Sequence, residues 1–268
     1  MPNISAVTAV KDAYTALYKH PSAILKIVGP MIILVALIDW FTESNGGSAS
    51  SIAMLFVSIF IAFSWHREVL LENPILVLWA TKENKDGSEN LHNRAYGQFM
   101  WRSFGLAGTL VACALIIGLP FYQFAKDETV LTILVVALIL FVLIAPWFFR
   151  SALIFPAVAI GSPEITLSNA WALSKGQGLR ILAGYILAAV PMFLVIILVG
   201  FLLLTPVVGS AAYYIDLLFG AFVTCVSTAI WAGVNSSIYR QLGPEISDFL
   251  KSNETNITAA EKAVPNES

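Results

Sequence analysis

The sequence predicts an all-α integral membrane protein, a six-transmembrane helix bundle with three helical hairpin repeats and cytoplasmic interfacial helices. Three observations support this fold class: the composition, the length of the apolar segments and the positions of the charged residues. Of the 268 residues, 58% are hydrophobic and 12% are charged, and the mean hydropathy is +0.79. Because average soluble proteins carry about 25% charged residues, this composition excludes an ordinary soluble domain and a disordered chain.

A membrane-spanning helix needs about 20 apolar residues, and the sequence contains six candidate segments, of which four meet this requirement and the first two are weaker. Four of them contain no charged residue, whereas the first contains Lys26 and Asp39 near its ends and the second is short. The expected spans are residues 23–41, 49–65, 103–122, 130–149, 181–204 and 217–238. Four spans are the alternative, if the first pair lies only at the membrane interface. In the last span, the spacing of Ala229 and Gly233 favours close helix packing.

The charged residues indicate how the bundle is oriented. With six spans, the loops on one side are residues 42–48, 123–129 and 205–216. Of the 15 lysines and arginines, only Lys126 lies in these loops. The positive-inside rule therefore places both termini in the cytoplasm. Residues 1–240 are expected to form one polytopic membrane domain, and residues 241–268 a polar, partly disordered cytoplasmic tail.

A similar pattern recurs where each returning helix reaches the cytoplasmic side. Arg67, Arg150 and Arg240 each follow aromatic residues at a helix end, and a proline follows each arginine within a few residues. Each outgoing helix is also preceded by a segment with one polar face, which we expect to lie at the level of the headgroups. These segments are residues 5–18, residues 91–102 and a helix around Leu167, Ala170 and Trp171 that ends near Gly176. The recurrence predicts the three-hairpin repeat.

The candidate site residues are basic. Arg67, Arg150, Arg240, Lys175 and Arg180 are predicted to bind anionic lipid headgroups or to anchor helix ends at the interface. The sequence contains no phosphate loop, nucleophile elbow, metal motif or dinucleotide motif. We therefore expect no catalytic residue, no cofactor and no metal site.

The histidines, the acidic residues and the net charge give further predictions about sites and partners. The three histidines, His20, His66 and His92, lie on separate segments and are predicted to be interface residues rather than a shared site. Asp39 and Asp216 are expected at solvated helix ends on the outer side. The net charge of −2 predicts no nucleic-acid partner. The expected partners are membrane lipids, with a homo-oligomer and unidentified protein partners left open.

Two tracts carry the core of a family resemblance, and a third adds to it. Residues 150–159 (RSALIFPAVA) and residues 167–176 (LSNAWALSKG) resemble the core of a bacterial inner-membrane superfamily, and residues 65–71 resemble its tract after the second span. That superfamily includes the membrane domain of some glycerophosphoryl diester phosphodiesterases and the YciC-like uncharacterised proteins. The resemblance implies a multi-span protein of the bacterial plasma (inner) membrane. It carries no catalytic residue across, and phosphodiesterase activity is not expected because no such domain follows the membrane part.

These observations favour a non-enzymatic membrane protein that organises lipids or partners at the cytoplasmic face. The alternative is a small transporter or channel for a lipid-like or apolar substrate, because the spans offer few polar groups for any other cargo. A lipid-modifying enzyme would require histidines and acids clustered at one interface.

Overall fold

The computed structural model describes residues 4–44, 50–71, 88–124, 144–161, 166–203 and 209–243. The secondary structure in these ranges consists of helices and short turns. We number the helices in chain order: α1 (Ala6–Lys19), α2 (Pro21–Ala23, the π-helical turn Ile24–Val28 and Gly29–Ser44), α3 (Ser50–Leu71), α4 (Ser88–Phe124), α5 (Ile144–Ala159), α6 (Leu167–Leu173), α7 (Gly178–Leu203) and α8 (Ala211–Gln241).

Four of the described helices are long and apolar enough to cross a membrane. They are Pro21–Glu43 in α2, Ile52–Leu71 in α3, Gly178–Gly200 in α7 and Ala211–Gln241 in α8. Both helices of the first pair are among them, although their sequences are the weakest of the six. Helix α3 also continues past residue 65, where the predicted span ends, as far as Leu71.

The middle part of the chain differs in one respect from the sequence prediction. The expected interfacial segment 91–102 and the expected span 103–122 form one unbroken helix, α4, rather than two elements. Its sequence contains no helix breaker between the two, since Gly97 and Gly105 are tolerated within a helix. Of the expected span 130–149, only residues 144–149 are described, and the tail lies outside the described residues beyond position 243.

Two prolines locally alter the helices that contain them. The π-helical turn Ile24–Val28 ends two residues before Pro30, which has no N–H to offer the carbonyl four residues earlier. In α7, Pro191 lies inside the helix, and the Tyr14 hydroxyl donates to the nearby carbonyl of Ala188 (2.8 Å). A side chain of α1 therefore contacts α7 where the proline weakens its hydrogen bonding.

Helix α1 lies across α7 and α8 through small residues. Ala9, Ala13 and Ala16 are buried on one face of α1. A Cβ placed on Gly233 of α8 would lie 3.1 Å from both Cα and Cβ of Ala13. The close approach predicted for the Ala229 and Gly233 spacing therefore exists, and the helix that approaches is α1.

The bundle has two distinct ends. Helices α3 and α8 end near each other and near α5 and α6, and we call this end, which contains Arg67, Arg150 and Arg240, the arginine end. At the opposite end, the Tyr213 hydroxyl of α8 donates to the Glu43 carboxylate of α2. The large side chains that are completely buried, Phe63, Trp65 and Phe99 among them, lie toward the arginine end.

Candidate functional site

The three recurring arginines each donate a hydrogen bond to a main-chain carbonyl in another helix. Arg67 Nη1 donates to Ala159 O at 2.7 Å, and Arg150 Nη2 donates to Trp171 O at 2.6 Å. Arg240 Nη2 donates to the carbonyl of Val69. The structure thus brings these three of the five predicted site residues against a neighbouring helix.

All three carbonyls lie at the C-terminal ends of their helices. Ala159 is the last residue of α5, while Trp171 and Val69 lie in the last turns of α6 and α3. Carbonyls in the last turn lack an intrahelical donor, and the helix dipole makes that end negative, so a guanidinium stabilises it. The contacts form a series in which α8 caps α3, α3 caps α5 and α5 caps α6. We call this series the arginine caps.

Arg150 has the most complete set of contacts among the arginine caps. Its Nε donates to Ser174 Oγ at 3.0 Å, and its guanidinium lies 4.5 Å from the centroid of the Trp171 ring. The Trp171 indole N–H donates in turn to Ser151 Oγ at 3.2 Å. The two tracts that carry the family resemblance, 150–159 and 167–176, therefore contact each other directly.

Lys175 and Arg180, the other two predicted site residues, are exposed at the arginine end. Arg180 Nη1 also donates to Gln177 Oε1 at 3.2 Å. The five predicted residues thus comprise the three arginines of the arginine caps and these two exposed residues.

Exposed apolar side chains stand beside basic ones around this end. Four pairs of adjacent residues show this pattern. The large aromatic or aliphatic side chain of each pair is between 73% and 88% exposed. The pairs are Tyr18 with Lys19, Leu25 with Lys26, Trp101 with Arg102, and Leu179 with Arg180. We call these four pairs the interfacial belt. Partial burial lowers the pKa of Arg102.

Buried polar contacts join α1, α3, α7 and α8 near the arginine end. His66 Nδ1 lies 2.8 Å from Ser236 Oγ, and Ser237 Oγ donates to Asp12 Oδ2 at 2.6 Å. The Tyr185 hydroxyl donates to the side-chain carbonyl of Asn235. The position of Asn235 near the end of the last predicted span indicated a hydrogen bond to a neighbouring helix or to a headgroup. Sequence reasoning missed the contacts of Ser236 and Ser237, although two consecutive serines within an apolar span were a usable signal.

Two of the three histidines make contacts that involve α3: His20 contacts α3 from outside, and His66 is itself a residue of α3. His20 Nδ1 lies 2.7 Å from Glu68 Oε1, so the turn between α1 and α2 is tied to α3. His66 contacts Ser236 instead, and the side chain of His92 lies outside the described set. In the described ranges, no group of three or more His, Cys, Asp or Glu residues could hold a metal ion.

Four polar atoms near the end of α3 are buried without a hydrogen-bond partner in the part of the chain that the structure describes. They are Ser64 Oγ, Trp65 Nε1, Arg67 Nε and Glu68 Oε2. Burying such atoms costs about 1–3 kcal/mol each unless they are paired. The end of α3 is therefore a place where the described interior buries polar atoms at a cost in free energy.

An apolar groove of about 230 Å³ lies between α2 and α8, near the opposite end. Asp216 is exposed near its α8 side, as predicted for a solvated helix end. The groove is lined by Ile33, Ala36, Leu37, Trp40, Tyr214, Leu217 and Leu218.

No protein-family model, curated protein or solved structure matches this chain. The fold places it in the class of all-helical proteins with at least four helices that can cross a membrane. The resemblance to the bacterial inner-membrane superfamily stays a prediction.

Proposed function

We propose that this chain is a non-enzymatic, multi-span protein of the bacterial plasma membrane that binds anionic lipid headgroups at the arginine end. The observation that carries this proposal is the interfacial belt. Side chains such as Tyr18 and Trp101 are strongly exposed to the surroundings, which is costly in water and favourable at the level of the headgroups. A basic neighbour at the same level attracts anionic lipid by about 1 kcal/mol per charge.

In this proposal the two groups of basic residues have different tasks. The arginine caps hold helix ends together, whereas the basic residues of the belt and Lys175 contact lipid. Helix α1 fits this division because its alanines face the bundle, while Val7, Tyr18 and Lys11 are exposed. The exposed face of α1 thus carries apolar and basic side chains together, a combination that suits the level of the headgroups.

The proposal includes six spans, three helical hairpins and cytoplasmic termini. The threefold arrangement is supported by the arginine caps, because the corresponding arginine of each expected hairpin binds the end of another helix. The orientation is supported by the positive-inside rule, since the belt lies at the end with the basic residues.

The test compares lipid retention by the purified protein in native mass spectrometry. We expect Lys19→Gln, Lys26→Gln and Lys175→Gln in one chain to reduce bound phosphatidylglycerol at least about fivefold relative to phosphatidylcholine. The charge-conserving triple variant with arginine at these three positions is the matched control and should retain it. Equal retention in the glutamine variant, with an unchanged unfolding temperature, would overturn the proposal.

Transport of a lipid-like substrate is the second candidate function, and the apolar groove between α2 and α8 favours it. A groove that opens sideways could hold an acyl chain while its headgroup stays in water. Reconstituted protein should then accelerate the exchange of fluorescent lipid between the leaflets of proteoliposomes. An exchange rate equal to that of protein-free liposomes would reject this function.

A further inference from the structure

We propose that the groove between α2 and α8 holds one acyl chain of a lipid whose headgroup carries a primary ammonium, with Glu43 as the headgroup's acceptor. The groove is lined by aliphatic and aromatic side chains. Ile33, Leu37 and Leu218 are each at least half exposed, so the groove is open from the side. The inference requires that α2 and α8 cross a membrane, and it does not depend on anionic headgroups at the arginine end.

The dimensions of the groove fit a segment of hydrocarbon chain. From Ile33 to Trp40 the α2 wall extends about 10 Å along the helix axis. The volume of about 230 Å³ is below the range of about 300–1,000 Å³ that is common for whole small ligands. A groove of this size and length matches a segment of an acyl chain that is aligned with the helices.

The shape alone gives no preference for a particular lipid. Hydrocarbon tails are as apolar as the groove, so transfer of a chain from the bilayer into it gains little free energy. Selectivity must come from a polar group at the groove's outer rim. Glu43 is one helical turn beyond Trp40 on the same side of α2, and its carboxylate accepts a hydrogen bond from Tyr213.

The charge at this rim is negative. The described stretches that bound the groove, residues 29–44 and 209–239, contain Asp39, Glu43 and Asp216 and no lysine or arginine. Anionic lipid is disfavoured beside these carboxylates, and a phosphocholine group has no N–H to donate. A primary ammonium has three donors and the complementary charge, and it can reach Glu43 while the phosphate stays in water.

Native mass spectrometry with equal amounts of phosphatidylethanolamine, phosphatidylcholine and phosphatidylglycerol tests the proposal. The wild-type protein should retain phosphatidylethanolamine preferentially. Glu43→Gln should reduce that preference about fivefold, as expected for one exposed charged contact, and Leu218→Trp should remove the bound lipid by filling the groove. The matched controls are Asp216→Asn for the charge and Leu34→Trp for the added bulk, since Leu34 does not line the groove.

Each other outcome overturns a defined part of the proposal. Lipid retention that Leu218→Trp leaves unchanged would overturn the groove as the site. Equal retention of the three lipids, lost only in Leu218→Trp, would overturn the ammonium headgroup. If Leu218→Trp converted a dimer into a monomer, a second copy of the chain would be the occupant instead. The triple lysine-to-glutamine variant separates the two proposals. If it loses phosphatidylglycerol but still retains phosphatidylethanolamine, lipid binding at the arginine end and lipid binding in the groove are independent.

Discussion

Gly233 decides how closely α1 can approach the bundle. Because glycine lacks a side chain, the backbone of α8 meets Ala13, whose Cα and Cβ would lie 3.1 Å from an added Cβ. The indole nitrogen of Trp65 would lie 3.6 Å from the same Cβ. Helices α1, α3 and α8 therefore converge at Gly233, and a single added methyl group would overpack this contact.

We predict opposite effects for the same substitution at two glycines of α8. Gly233→Ala should lower the free energy of unfolding by about 1–3 kcal/mol because it overpacks the contact with Ala13. Gly220→Ala should raise it by up to about 1 kcal/mol, since alanine is the better helix former and nothing lies within 4 Å of its Cβ. Unfolding in detergent micelles measures both, and a Gly233→Ala protein as stable as Gly220→Ala would contradict the close approach.

A buried hydrogen bond provides a second residue-scale prediction. Ser236→Ala would leave His66 Nδ1 without its partner at 2.8 Å, and we expect a loss of about 1–3 kcal/mol. Thr228→Ala on the same helix is the control, because the exposed Thr228 hydroxyl donates only to its own helix, at Thr224 O. Its effect should stay within about 0.5 kcal/mol. Equal effects of the two substitutions would show that the His66 contact contributes nothing.

The ends of helices α3 and α8 could be located approximately from the sequence, but the contacts that form at those ends could not. Aromatic residues followed by arginine correctly mark where α3 and α8 approach their C-termini. The carbonyls that these arginines bind belong to residues that are distant in sequence, as with Arg67 and Ala159. Which arginine binds which helix end depends on how the helices pack, and the sequence does not give that packing. From the sequence alone, lipid headgroups were therefore the suggested partners of these arginines.

The arginine caps predict that stability and lipid binding respond separately. Arg67→Gln should lower the unfolding temperature because the end of α5 loses a charged donor worth about 1–2 kcal/mol. Retention of phosphatidylglycerol should stay the same in native mass spectrometry. Arg94→Gln, which removes an exposed arginine of α4, is the control and should leave the unfolding temperature unchanged. An Arg67→Gln protein that loses lipid at full stability would restore the headgroup role for this residue.

For the molecule as a whole, composition and apolar length were sufficient to predict an all-helical protein with spanning helices. The ends of the candidate spans in α2 and α7 lie within four residues of the predicted ones, whereas α8 begins six residues earlier than predicted and α3 continues six residues further, through Arg67 and Glu68. The sequence prediction ended this span at residue 65 and placed Arg67 at the membrane interface. In the structure Glu68 is buried beside His20, and Arg67 reaches α5, so tertiary partners compensate for charges that would otherwise end the span.

The orientation of the whole bundle yields the last prediction. Lys19 lies at the arginine end and Ala211 begins α8 at the opposite end, and both are exposed. If four helices cross the membrane with the basic end inside, a membrane-impermeant maleimide added to intact cells should label Ala211→Cys but not Lys19→Cys. Cys113→Ala and Cys225→Ala provide a background without native thiols, and opening the cells should make Lys19→Cys react. Labelling of Lys19→Cys alone in intact cells would reverse the orientation, and labelling of both would show that α8 does not separate two compartments.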